Sequence, residues 1–224
     1  MSELHVKPVS VTLSAPVWNL LACDGNPWMV IEHRDEVRRV ASFSLFDFKN
    51  QRFLWHDVVM PEKWWLYLAG VSTDHIVLKV FESTENPDKT SFLFISIKDG
   101  TVKSQNAQGT DRQHTNSTVQ PFQYLAGEPD FETVKKFLNS KLKIVPKLGA
   151  EYLEHGGFII ISYYVGDPAA FKNRIVLFNA QGDCLYENEI GMNLKGIGVN
   201  TFFIASGYLF FVKNRTELVT FRIV

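Results

Sequence analysis

Four of the six histidines in this 224-residue chain stand beside an acid, as Glu32-His33, His56-Asp57, Asp74-His75 and Glu154-His155. An imidazole next to a carboxylate is the raw material of general acid–base chemistry. In an extended strand, however, successive side chains leave opposite faces, so none of these pairs forms a dyad by adjacency and a working pair must be assembled between segments. His155 stands apart because Gly156 and Gly157 follow it and allow close approach of backbone or ligand, although a glycine turn explains them equally well. Two aromatic doublets, Trp64-Trp65 and Tyr163-Tyr164, add rings that stack on sugars, bases or protein side chains if one of each pair faces outward; burial in a core is the competing fate. The expected ligand-binding residues are therefore Trp64, Trp65, His155, Tyr163 and Tyr164.

No nucleophile elbow, phosphate loop, dinucleotide fingerprint, zinc-protease helix or calcium loop occurs, so no catalytic residue is assigned and no cofactor is expected. The glycines of Gly191 to Gly198, GMNLKGIG, do not join a strand to a helix and read as a loop. Cys23 and Cys184 lack any metal-ligand spacing, so no metal is expected and both are read as buried small hydrophobes. Acids near predicted strand ends, Asp24, Asp47, Asp74 and Asp167, are the acid–base candidates if the chain is an enzyme.

Lysine and arginine total 23 against 24 acidic residues, and 46% of the chain is hydrophobic. That balance provides no overall field for nucleic acid or an anionic membrane, and neither is expected as a partner. No apolar run reaches the ~20 residues that span a bilayer, and the first 25 residues lack an export signal, so a cytoplasmic location is expected.

The elements that must position these residues are mainly strands. Gly157 to Ile190 contains three consecutive apolar runs, Phe158 to Val165, Arg174 to Phe178 and Cys184 to Ile190, separated by Gly166-Asp167-Pro168 and by a turn in which Gly182 supplies a positive φ. Similar runs occur at Val17 to Ala22, Trp28 to Ile31, Ala41 to Phe48, Arg52 to Trp55, Trp64 to Ala69, Ile76 to Phe81 and Phe92 to Ile97. The charged span Glu32 to Arg39 reads as a solvated loop or hairpin tip, and the polar stretch Asn106 to Gln120 as an exposed or disordered loop. Starts at Leu20, Tyr67, Tyr124, Tyr152 and Phe202 suggest five irregular units. Apolar spacing after Pro129 predicts one helix, Asp130 to Leu142, N-capped by Asp130 and replacing a hairpin of the third unit. The last unit is one strand short, while Glu3 to Leu13 is a strand without a unit, so the two are predicted to pair.

The segment LFDFKNQRFLW, residues 45 to 55, resembles the outer hairpin of quinoprotein-type β-propeller blades. There an apolar strand ends in Asp and Leu-Trp arrives eight residues later, as Asp47 and Trp55 do here; Gln51 stands where that family usually has Gly. The chain as a whole is also similar to bacterial proteins with degenerate propeller-like repeats. The resemblance implies that Trp55 packs between blades and implies no quinone site. The expected fold is all-β, one domain over residues 1 to 224, a propeller-like array of four to five antiparallel blades with a β-sandwich as alternative. The expected function is a non-catalytic binding or scaffold module for a protein, sugar or small molecule; a hydrolase or lyase acting on a carbohydrate or small metabolite is the second reading.

Overall fold

The computed structural model describes residues 7–23, 25–60, 64–72, 74–83, 85–105 and 118–223. Its strands are β1 (Val9–Thr12), β2 (Val17–Ala22), β3 (Trp28–Asp35), β4 (Val40–Asp47), β5 (Arg52–Val59), β6 (Leu66–Val71), β7 (His75–Phe81), β8 (Thr90–Ser96), β9 (Val102–Gln105) and β10 (Phe122–Leu125). Helix α1 (Pro129–Leu142) follows, then β11 (Lys147–His155), β12 (Phe158–Asp167), β13 (Ala170–Asn179), β14 (Cys184–Leu194), β15 (Phe202–Ala205), β16 (Tyr208–Lys213) and β17 (Glu217–Arg222). The fold is all-β, with four antiparallel sheets ordered β2-β3-β4-β5, β6-β7-β8-β9, β10-β11-β12-β13-β14 and β1-β17-β16-β15. Two compact units result, Leu13–Ser117 and Met1–Thr12 with Thr118–Val224.

In the first unit the sheets β2 to β5 and β6 to β9 share one apolar core that includes Val30, Phe43, Leu45, Trp55, Ile76, Leu78 and Ile95. Trp55 is buried in it and donates its indole N–H to the carbonyl of Ile97 at 2.9 Å. Asp47 caps the β4–β5 turn by accepting from the amides of Lys49 and Asn50 at 3.1 and 2.9 Å, and Gln51 takes the left-handed φ of 57° that a glycine would supply. Strand β3 runs on through Asp35, so the expected solvated span begins too early: Glu32, His33 and Arg34 are buried. They are tolerated because each has polar partners, and a charge pattern read one residue at a time cannot display them.

In the second unit the sheet β10 to β14 carries apolar residues on both faces. Leu153, Ile160, Ile175 and Leu177 pack with Phe202, Leu209, Phe211, Val219 and Phe221 of the other sheet. Ile161, Tyr163, Val176 and Phe178 pack under Phe131, Val134 and Leu138 of α1. The helix is therefore an insertion between β10 and β11 that covers a sheet face, and it does not replace a hairpin. Its N-cap is Glu128, with Pro129 opening the first turn, and Asp130 lies inside that turn. The starts at Tyr124 and Tyr152 belong to adjacent strands of one sheet, so five expected units become four sheets. The expected terminal pairing is present: β1 lies antiparallel to β17, with Val9 opposite Thr220 and Thr12 opposite Glu217. Val119 adds an isolated bridge to Ile204 on the far edge of that sheet, so the polar stretch is paired at its end; residues 106 to 117 of it, and residues 3 to 6 of the first strand, lie outside the described residues. Cys23 is buried as expected, whereas Cys184 is exposed at the start of β14.

Candidate functional site

The second unit carries a row of polar residues inside an apolar sheet. Glu151 on β11 is the direct cross-strand partner of Ser162 on β12, and Tyr164 of β12 is that of Asn173 on β13. The pairing of β13 with β14 shifts register on both sides of Asn173, an irregularity of the kind that re-aims side chains. Beyond β14 the loop through Lys195 to Thr201 returns over this row and is pinned to it. The amides of Asn200 and Thr201 donate to Glu151 at 2.5 and 2.8 Å, the Gly198 amide donates to the Tyr164 hydroxyl oxygen at 2.7 Å, and Gln123 Nε2 donates to the Gly198 carbonyl at 2.8 Å.

Loop and row enclose a cleft of about 550 Å³. Its walls are Ile190, Leu194, Ile197 and Val212, its floor Tyr164, Asn173 and Thr201, and its rim Lys195, Asn214 and Arg215. Asn214 and Arg215 both adopt left-handed backbone, φ 49° and 66°, in the tight β16–β17 turn.

The floor is chemically uneven. Thr201 Oγ1 touches Glu151 Oε2 and lies 2.7 Å from Ser162 Oγ, which donates to Asn173 Oδ1 at 3.0 Å. With Asn173 oriented this way, two hydroxyl protons serve three contacts, so the row is complete only when Glu151 also carries a proton. Burial pushes the Glu151 carboxyl above its ordinary range, against the hydrogen bonds from Thr201 and Asn200 that favour the charged form. Asn173 is 2% exposed and its Nδ2 has no hydrogen-bond partner. An unmatched buried amide costs roughly 1–3 kcal/mol, so a group that accepts from it repays that cost. Burial also raises Tyr164, against the Gly198 amide and the adjacent Asn173 side chain, which both favour the charged form; its hydroxyl keeps a proton while its oxygen accepts from Gly198.

The first unit has two other polar clusters. Arg34 pairs with Glu32, Nε donating at 2.8 Å, while its guanidinium also donates to the carbonyls of Trp64 and Leu66 and lies 5.7 and 5.1 Å from the ring centres of Trp18 and Trp64. Glu32 is raised by burial, with Arg34 pulling the other way, and its Oε2 has no hydrogen bond. His33 Nδ1 faces the Ala15 carbonyl at 3.3 Å and Nε2 faces Ser44 Oγ at 3.0 Å; burial lowers its pKa, so the neutral ring donates to Ala15 and accepts from Ser44. Ser44 is buried, which denies that dyad a substrate. His56 and Asp57 do contact each other, at 3.1 Å, against the expectation from strand alternation, because Asp57 takes φ 55° and turns its side chain back. Partial burial pushes the Asp57 carboxyl up, but the hydrogen bonds from Ser14 and His56 together hold it below the usual range.

The expected ligand residues are not gathered into one place. Trp64 is half-buried against Arg34, while Trp65 beside it is 60% exposed. His155 ends β11 before a left-handed Gly156-Gly157 turn, φ 58° and 82°, so the glycines serve the hairpin. Tyr163 and Tyr164 are both buried, the core fate that competed with an outward-facing ring: the Tyr163 hydroxyl donates to Glu187 at 2.6 Å, and of the pair only Tyr164 lines the cleft. Asp47 is spent on its turn, Asp167 ends β12 opposite Ala170, and Asp24 lies outside the described residues. Among the described residues no three His, Cys, Asp or Glu side chains are placed to hold a metal, and no helix is long and apolar enough to cross a membrane. Sequence reading missed Glu151, Asn173 and Thr201. The available signal was a polar residue interrupting each of three apolar strands or their connecting loop, followed by the glycine-spaced GMNLKGIG segment.

A family described as a domain of unknown function (DUF4905) matches residues 23–103. The match covers strands β3 to β8 and reaches β9, within the first unit. No curated protein matches the chain.

Proposed function

We propose that this protein is a non-catalytic binding module whose small-molecule seat is the cleft over Asn173. The observation that carries this reading is the combination of an apolar-walled cleft with a buried amide on its floor that has no partner. Apolar walls provide affinity and the unmatched amide orients whatever enters. A propeller-type kinship is part of the proposal, supported by four successive antiparallel sheets and by Trp55 bridging two of them. A cytoplasmic setting, which the exposed Cys184 thiol suits, is proposed with it.

The test is a thermal-shift screen of metabolites and sugars against the wild type and Leu194→Asp, which puts a charge in the cleft wall. A compound that raises the wild-type midpoint and leaves the variant unmoved is expected; the reading fails if every active compound shifts both equally. A hydrolase or lyase remains the second reading because Glu151, with its raised pKa, lies directly under Thr201 of the cleft. Turnover of a screened compound, abolished in a folded Glu151→Gln protein, would decide for it.

A further inference from the structure

The cleft has a definite chemical polarity. Its lining includes no Asp or Glu among the described residues, yet Lys195 and Arg215 stand at its rim. The floor offers donors, the Asn173 amide, whose Nδ2 has no partner, and the Tyr164 hydroxyl, whose oxygen accepts from Gly198. Two neutral donors below and two cations above fit a group that only accepts and carries one negative charge. A phosphate dianion is a poorer fit, because buried Glu151 lies one hydrogen bond beyond Thr201 and repels a second charge when ionised. A sugar is also a poorer fit: hydroxyl arrays want carboxylate acceptors and an open ring face, and the ring lining this cleft, Tyr164, is buried. The remaining walls, Ile190, Leu194, Ile197 and Val212, are aliphatic.

Resting on the reading of this cleft as a ligand seat, we propose that it binds a small amphipathic carboxylic acid. The carboxylate accepts from Asn173 Nδ2 and Tyr164 Oη, and the aliphatic chain lies along Leu194 and Ile197. Lys195 and Arg215 provide the long-range attraction. The volume of about 550 Å³ accommodates a medium-length chain.

Decanoate, kept below its micelle concentration, is titrated calorimetrically into the full chain, with decanol and decyltrimethylammonium as neutral and cationic probes of equal tail length. Decanoate is expected to bind one to one, about tenfold or more tighter than decanol, since charge-assisted bonds are roughly twice as strong as neutral ones. Asn173→Ala is expected to weaken decanoate by about tenfold. Because that variant disturbs the buried row, the exposed changes Lys195→Gln and Arg215→Gln are read beside it; each is expected to weaken decanoate severalfold and leave decanol unchanged. Equal binding of decanoate and decanol, or decanoate binding indifferent to Asn173, Lys195 and Arg215, overturns the carboxylate assignment. If in that case Leu194→Asp still abolishes decanol binding, the seat stands and only its ligand class is wrong. If none of the three probes binds the wild type, the assignment is overturned, and the metabolite and sugar screen decides separately on the seat.

Discussion

Among the described residues each unit buries one glutamate to 1% exposure, Glu32 in the first and Glu151 in the second, and each compensates it differently. Glu32 has a guanidinium at 2.5 Å, and that guanidinium also grips two carbonyls at the start of the neighbouring sheet. Among the described residues Glu151 makes no ion pair; its partners are two backbone amides and a threonine hydroxyl. Burial raises both carboxyls, so neither arrangement fully offsets the loss of water. A cationic partner makes a fixed staple whose removal strands a charge. Neutral donors leave the acid able to take up a proton without breaking anything, and they set it beside a cleft.

Arg34→Ala is the strongest way to break this comparison. It leaves Glu32 buried and unpaired and frees the carbonyls of Trp64 and Leu66, at an expected cost of about 3–5 kcal/mol. Urea unfolding measures it. The paired change Glu32→Met with Arg34→Met is expected to recover most of the loss; if the double variant is as unstable as the single one, the stranded charge is not the cause.

Glu151 offers the next test. Thr201→Val removes one hydroxyl from its row and is expected to cost roughly 1–3 kcal/mol. The pH response has a definite sign: a carboxyl raised on folding contributes stability that is full below its unfolded value, ~4.3, and is lost as pH rises through its raised folded value. Wild-type stability measured relative to Glu151→Gln should therefore decline from about pH 4.3 upward, a window in which Glu32 titrates in both proteins and cancels. A difference that stays flat or grows with pH would show that the amides dominate burial.

Much of the architecture was legible in sequence, since strands announce themselves locally. The three runs after Gly157 emerged as β12, β13 and β14 because each is apolar and bounded by turn residues. The terminal pairing was legible by counting strands. The buried charges were not: Arg34 reads as a loop residue until Trp64 and Leu66, some thirty positions on, are placed against it. Asn173 fails for the same reason, because its meaning lies in Ser162 and Thr201, contributed by another strand and a later loop. Helix α1 lies where its periodicity put it, but its role was misread, as nothing local says that an amphipathic face covers a sheet it does not interrupt.

The smallest expected effects lie in the turns, where the units also differ. The β13–β14 turn uses Gly182 at φ 78°, and the β4–β5 turn uses Gln51 at φ 57°. Gly182→Ala should cost on the order of 1 kcal/mol; the added methyl meets only the flexible end of Lys141, so the cost is backbone strain. Gln51→Gly should be close to neutral, because relief of strain offsets the entropy of the freer unfolded chain. Denaturant midpoints of the two variants measure the difference.

The pairing of β1 with β17 has a mechanical consequence. Val9, where β1 begins, lies opposite Thr220, near the end of β17. Tension applied through the two flanking ends of the chain therefore enters and leaves at the same edge of the ladder. Such a load peels an antiparallel pair one rung at a time, whereas a load entering at opposite edges would shear every rung together. The second unit should thus yield to pulling from its termini at low force, with β1 detaching first while the core of phenylalanines behind β16 and β17 is still intact.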